Sequence, residues 1–152
     1  MSINSKFARR SILALAVVAT SFVALPVVSA NATSVTHLTA VAKGKFEGVG
    51  MGATKGSVTA RFTLNATKNT LCYSITSHGI TGITGAHIHT GAAGVNGGVA
   101  VPLDPTKIGV KGSTCVVIDA KTLAAISAGP SMYYFNAHTA KFPNGAVRGQ
   151  LK

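Results

Sequence analysis

The chain has 152 residues, with 14 lysines and arginines against three acids and a formal charge of +11, yet only 11% of it is charged and 47% is hydrophobic. The bases are scattered, tryptophan is absent and aromatic residues are few, so the basic, aromatic-studded surface that binds nucleic acid is missing. No Gly-x-Ser-x-Gly nucleophile motif occurs, and Glu47, Asp104 and Asp119 are too few acids to favour paired-carboxylate hydrolysis.

Lys6, Arg9 and Arg10 precede an uncharged apolar run from Ile12 to Val28 that ends in Val28-Ser29-Ala30. A basic start, an apolar middle and a small-residue cleavage site describe a secretory signal peptide, so residues 1–30 are expected to be removed. Ala30-Asn31-Ala32 offers a second cleavage site. The run is at the short end of the roughly 17–25 residues that a spanning helix needs, and no second apolar stretch follows. The sequence therefore implies a secreted, periplasmic or cell-envelope protein with no transmembrane segment after cleavage. Removing 30 of 152 residues leaves 122, one domain's worth, with eleven bases against three acids and a net charge of +8. That excess permits weak adhesion to anionic lipids or cell-wall polymers.

Short alternating runs dominate the remainder, and the expected strands are Thr36–Ala42, Ser57–Leu64, Thr70–Ser77, Ala86–Thr90, Val99–Leu103, Thr114–Ile118, Met132–Thr139 and Ala146–Leu151. Val58, Ala60, Phe62 and Leu64 form one face of the second run, and Leu71, Tyr73 and Ile75 one face of the third. Alternation of this kind reads as half-buried antiparallel strands. Asn65–Asn69 reads as a hairpin loop. The glycine-rich 48–57 segment has Lys-Gly-Ser where a phosphate-binding loop needs Gly-Lys-Ser, and no helix pattern follows, so it reads as an inter-strand loop. Asp119 is placed to cap a helix over Ala120–Ala128 that stops at Gly129-Pro130, with Leu123 and Ile126 on its inner face. The fold expected is an all-β antiparallel Greek-key sandwich or barrel with one short helix.

Cys72 and Cys115 are the two cysteines. An even count in an exported domain points to a disulfide; the alternative is a pair of copper-binding thiols. Three of the five histidines fall in two segments, Gly85-Ala86-His87-Ile88-His89-Thr90-Gly91 and Asn136-Ala137-His138-Thr139. Strand periodicity puts His87 and His89 on one face and Ala86 and Ile88 on the other. His138 shares a face with Asn136. Arg148 alternates with Val147 and Gly149, which gives it an outward position from which to attract an anion or pair with the carboxy-terminus. Three neutral imidazoles with an open position suit copper or zinc; the same rings also serve as hydrogen-bonded struts between strands. His37 and His78 read as surface residues, and Met51 and Met132 as loop or packing residues.

These blocks, with Gly91–Gly97, Val99–Leu103 and Phe142–Leu151, resemble the CHRD domain, a module named after chordin and found in many bacterial exported proteins. The resemblance implies one such domain over residues 36–152. Its early segment departs from the family pattern, since Glu47 is followed by Gly48-Val49-Gly50 rather than by a Glu-Val-Pro-like stretch. A weaker likeness is to copper–zinc superoxide dismutases, Greek-key sandwiches with a His-x-His copper strand and a guiding arginine; His87, His89, His138 and Arg148 mimic that set. The zinc-loop ligands of that family have no counterpart, and Gly91–Gly98 is far shorter than its zinc loop.

The function expected is a non-enzymatic exported binding module of the envelope, with His87, His89 and His138 as ligands to copper or zinc and Arg148 and Asn136 beside them. Its partner is the metal ion or an envelope protein that sequence does not name. The alternatives are a superoxide-dismutase-like copper redox enzyme and a purely structural or protein-interaction module.

Overall fold

The computed structural model describes residues 35–48 and 51–152; the expected signal peptide lies outside the described residues. Eight strands and one helix follow in chain order. The first sheet contains β1 (Val35–Ala42), β2 (Ser57–Asn65), β3 (Thr70–His78) and β6 (Thr114–Val117), in the order β1-β2-β3-β6. The second contains β4 (Ile83–Thr90), β5 (Val99–Leu103), β7 (Tyr133–Thr139) and β8 (Phe142–Gln150), in the order β5-β4-β7-β8. All neighbours are antiparallel. The described residues form an all-β sandwich with a single short α-helix.

Alternation decides which side chains meet between the sheets. From the first sheet come Val58, Ala60, Phe62 and Leu64 of β2 and Leu71, Tyr73 and Ile75 of β3; from the second come Ala86 and Ile88, Phe135 and Ala137, and Val147. The Phe62 and Phe135 rings bridge the layers at 6.3 Å between centroids. Each large apolar side chain buried here favours the fold by about 1.5–3 kcal/mol. The one polar tip, the Tyr73 hydroxyl, accepts a hydrogen bond from the Asp104 amide at 3.0 Å.

The helix α1 (Ala120–Ala128) starts where expected. Asp119 Oδ1 accepts from the Thr122 amide at 2.8 Å, and Leu123 and Ile126 join the core. Asp104 likewise accepts from the Thr106 amide and hydroxyl at 2.9 and 2.7 Å. Both exposed carboxylates are held below their usual range by these bonds. Cys72 and Cys115 face each other directly across β3 and β6 and are disulfide-bonded, with Cα atoms 3.9 Å apart. Their thiols are therefore not available as metal ligands.

One side of the sandwich is closed by the chain itself. Lys43, just past β1, donates its amide to Arg148 O at 3.0 Å, and Thr39 and Lys152 exchange backbone bonds of 2.8 and 3.0 Å. Gly149 allows this approach: a Cβ there would stand 2.4 Å from Val41 O.

Two strand starts differ from the sequence reading by three or four residues, and no other strand boundary differs by more than one. β4 begins at Ile83 rather than Ala86, and β8 at Phe142 rather than Ala146. The chain reverses sharply after Thr139, which pairs with Phe142, so Pro143 sits inside an irregular strand instead of ending one. Met132 ends a 3-10 turn opened by Pro130 and does not start β7. No helix among the described residues is long and apolar enough to cross a membrane.

Candidate metal centre

The outer face of the second sheet carries the histidines. β7 lies between β4 and β8, so residues far apart in sequence become neighbours: His87 opposes Asn136, His89 opposes Tyr134, and Asn136 in turn opposes Arg148. His87, His89 and His138 each offer one ring nitrogen, and these atoms all lie within 4.8 Å of one another. His87 Nδ1 is 3.2 Å from His138 Nε2. The His87 ring meets both others edge-on, with centroids 5.4 Å from His89 and 5.1 Å from His138.

Local irregularities set this geometry. The β4–β5 pairing slips between Ile88 and His89, leaving Ala100 without a partner, a bulge of the kind that re-aims a side chain. A wider irregularity lies beside His138: Ala137 pairs with Val147 and Thr139 with Phe142, so residues 143–146 face this single histidine. Pro143 O comes within 2.9 Å of His138 Nδ1, and Gly97 O within 3.1 Å of His89 Nδ1. A carbonyl only accepts, so both Nδ1 atoms carry the proton and both Nε2 atoms keep their lone pairs. His89 Nε2 is buried and has no hydrogen-bond partner among the described residues. His87 Nδ1 then donates to His138 Nε2.

Burial lowers the pKa of His87, helped by the nearby His138 and His89. Burial also lowers that of His89, with His138 and Arg148 adding to the shift and the Gly97 hydrogen bond opposing it. Neutral imidazoles are the form that binds a metal.

The loop over residues 91–98 roofs the sheet beside this cluster. Arg148 is 3% exposed although it points away from the core. Its guanidinium donates to Asn96 Oδ1 and Val95 O at 2.7 and 2.8 Å and lies 3.6 Å from the centroid of the Tyr134 ring. His89 stacks on Tyr134, 5.0 Å away and nearly parallel at 6°. The Tyr134 hydroxyl accepts from the Gly97 amide at 3.4 Å. Gly97 must be glycine for the loop to fold back, because a Cβ would stand 1.9 Å from Thr90 O. Arg148 thus stands beside the cluster with its donors engaged by the loop, a different environment from the open, anion-attracting position expected of it.

Asn136 donates through Nδ2 to Glu47 Oε1 at 2.6 Å, while its own Oδ1 is buried without a partner among the described residues. Burial raises the Glu47 pKa to about 7, although Arg148 and the Asn136 hydrogen bond both work to lower it. Glu47, Met51, Asn96, Asn136 and Asn144 join His89 and His138 around a cleft of about 400 Å³. His37 and His78 lie on the first sheet, away from the cluster; His37 Nδ1 meets Thr63 Oγ1 at 3.1 Å. Cys72 and Cys115 are on that sheet too.

Sequence reasoning missed Tyr134 and Glu47. Tyr134 had a signal, since it lies two residues before Asn136 on the same strand face. Glu47 had no local signal beyond its place in the early segment that departs from the family pattern: 89 residues separate it from its hydrogen-bond partner.

A family model described as the CHRD domain matches residues 28–151. No curated protein and no solved structure matches the chain. The matched segment takes in both histidine strands, the loop over them and the strand bearing Arg148, and on that match the chain belongs to the CHRD domain family.

Proposed function

We propose that this protein is an exported, non-enzymatic binding module of the cell envelope that holds one copper or zinc ion on His87, His89 and His138. The observation that carries the reading is the pair of backbone carbonyls, Gly97 O and Pro143 O, on the Nδ1 atoms of His89 and His138. Outer contacts of this kind fix the tautomer and aim the second nitrogen of a metal-bound histidine. Metal–nitrogen bonds of about 2.0–2.1 Å require ligand nitrogens roughly 3–4 Å apart; His87 Nδ1 and His138 Nε2 stand at 3.2 Å, and an ion between them would take the place of the proton that His87 Nδ1 donates. Three imidazoles without a thiolate or a carboxylate suit Cu(II) and Zn(II). Export is supported by the amino-terminal pattern around Lys6, Arg9 and Arg10 and by the disulfide, since oxidising compartments preserve such bonds.

Titration of the purified protein with Cu(II) or Zn(II) should give one ion per chain. His87→Ala, His89→Ala and His138→Ala should each weaken binding at least tenfold with the fold intact, and His37→Ala should leave it unchanged. Binding that survives the His87→Ala/His138→Ala double variant removes this site. Superoxide turnover by the copper-loaded protein would move the reading from binding module to redox enzyme.

A further inference from the structure

A second concavity lies at the β1–β8 seam and shares no lining residue with the histidine cleft. It is a groove of about 580 Å³, within the roughly 300–1,000 Å³ of small-molecule sites. Val41 and Phe46 present apolar surface to it and are 42% and 48% exposed. Lys43 and Lys45 stand beside them, the Lys45 ammonium 5.2 Å from the centre of the Phe46 ring. No carboxylate side chain lines the groove among the described residues. Lysine stems cover apolar surface while their ammonium groups stay in water, so the groove joins apolar walls to a cationic rim.

We infer that this groove binds a single anionic amphiphile, an unbranched acyl chain with an anionic head. The chain would lie against Val41 and Phe46, and the head would meet Lys43 and Lys45. Charge complementarity selects this occupant: a neutral lipid leaves the ammonium groups unpaired, and a small hydrophilic anion leaves the apolar walls wet. The inference is independent of the metal reading.

Calorimetric titration of the metal-free protein with octanoate, decanoate and dodecanoate below their micelle concentrations tests it. Each added methylene should tighten binding about three- to fourfold until the groove is filled, with one molecule bound per chain. Dodecanol should bind at least tenfold more weakly than dodecanoate, and acetate should give no signal. Lys43→Ala/Lys45→Ala should weaken dodecanoate binding about three- to tenfold and reduce its salt dependence. Val41→Asp should weaken it at least tenfold while the zinc titration stays as in the parent protein. The inference is overturned if dodecanoate does not saturate, if dodecanol binds equally well, or if Val41→Asp has no effect. It is also overturned if only phosphatidylglycerol vesicles, and not monomeric dodecanoate, are bound.

Discussion

His89 shows how a single side chain is prepared for a role. Its Nδ1 is engaged by Gly97 O, its ring is stacked on Tyr134, and its Nε2 is left buried without a partner among the described residues. An unpaired buried acceptor costs about 1–3 kcal/mol, and a metal ion would relieve that cost. Protons compete for the same lone pairs. Zinc or copper affinity should therefore be markedly weaker at pH 5 than at pH 7.5, as a titration at each pH would show. Stability without metal should follow the same groups. Because folding lowers the pKa of His87 and His89 from 6.5, the unfolded chain takes up protons first as the pH falls below that value, and stability is lost there. Glu47 acts in the opposite sense. Its pKa rises from 4.5 to about 7 on folding, so across that window the folded protein holds a proton that the unfolded chain has released, and stability falls as the pH rises. Glu47→Gln removes this titration. The melting temperature of the variant relative to the parent should be higher at pH 8 than at pH 5, and equal differences at the two pH values would refute the account of Glu47.

The loop over residues 91–98 and the strands beneath it form one unit. Arg148 links them: it holds Asn96 and Val95, and its contact with Tyr134 backs the ring on which His89 stacks. Arg148→Met keeps the apolar stem and loses the donors. It should destabilise the domain by about 2–3 kcal/mol, accelerate amide exchange at residues 95–97 and weaken metal binding. The β1–β8 seam depends on Gly149 in the same way. Gly149→Ala drives a methyl into the Val41 carbonyl and should cost about 1–3 kcal/mol, measured by urea unfolding. On the first sheet, the four-residue edge strand β6 is tied to β3 by Cys72–Cys115 across 43 residues of sequence. Closing that loop contributes about 4 kcal/mol in the chain-entropy model, which the Cys72→Ser/Cys115→Ser variant should lose.

What the sequence made legible is what periodicity can carry. Alternation in Ser57–Leu64 and Thr70–Ser77 placed the core residues of two strands, Asp119 placed the helix start, and His-x-His placed two imidazoles on one face. The start of β8 was hidden because Pro143 reads as a breaker, whereas an irregular strand accommodates it beside His138. Glu47 and the roof over Arg148 were hidden for a different reason. They depend on contacts between segments about 50 to 90 residues apart, and no local pattern encodes such a contact.

Topology turns these local features into a site. With β7 inserted between β4 and β8, the first histidine pair, the third histidine and the arginine occupy adjacent strands of one sheet, while His37 and His78 are carried on the other sheet. The disulfide and the β1–β8 seam hold that frame, and the bulges adjust the rings within it. The central claim is that the cluster of His87, His89 and His138 is a metal centre in which the tautomers of His89 and His138 are set in advance. Long-range proton–nitrogen correlation spectra of the imidazoles, recorded at pH 7.5 before and after one equivalent of Zn(II), test it directly. The metal-free protein should show His89 and His138 protonated on Nδ1. Zinc should shift their Nε2 resonances and one nitrogen of His87, leaving His37 and His78 unmoved. Shifts confined to His37 and His78, or no shift in any imidazole, would contradict the account.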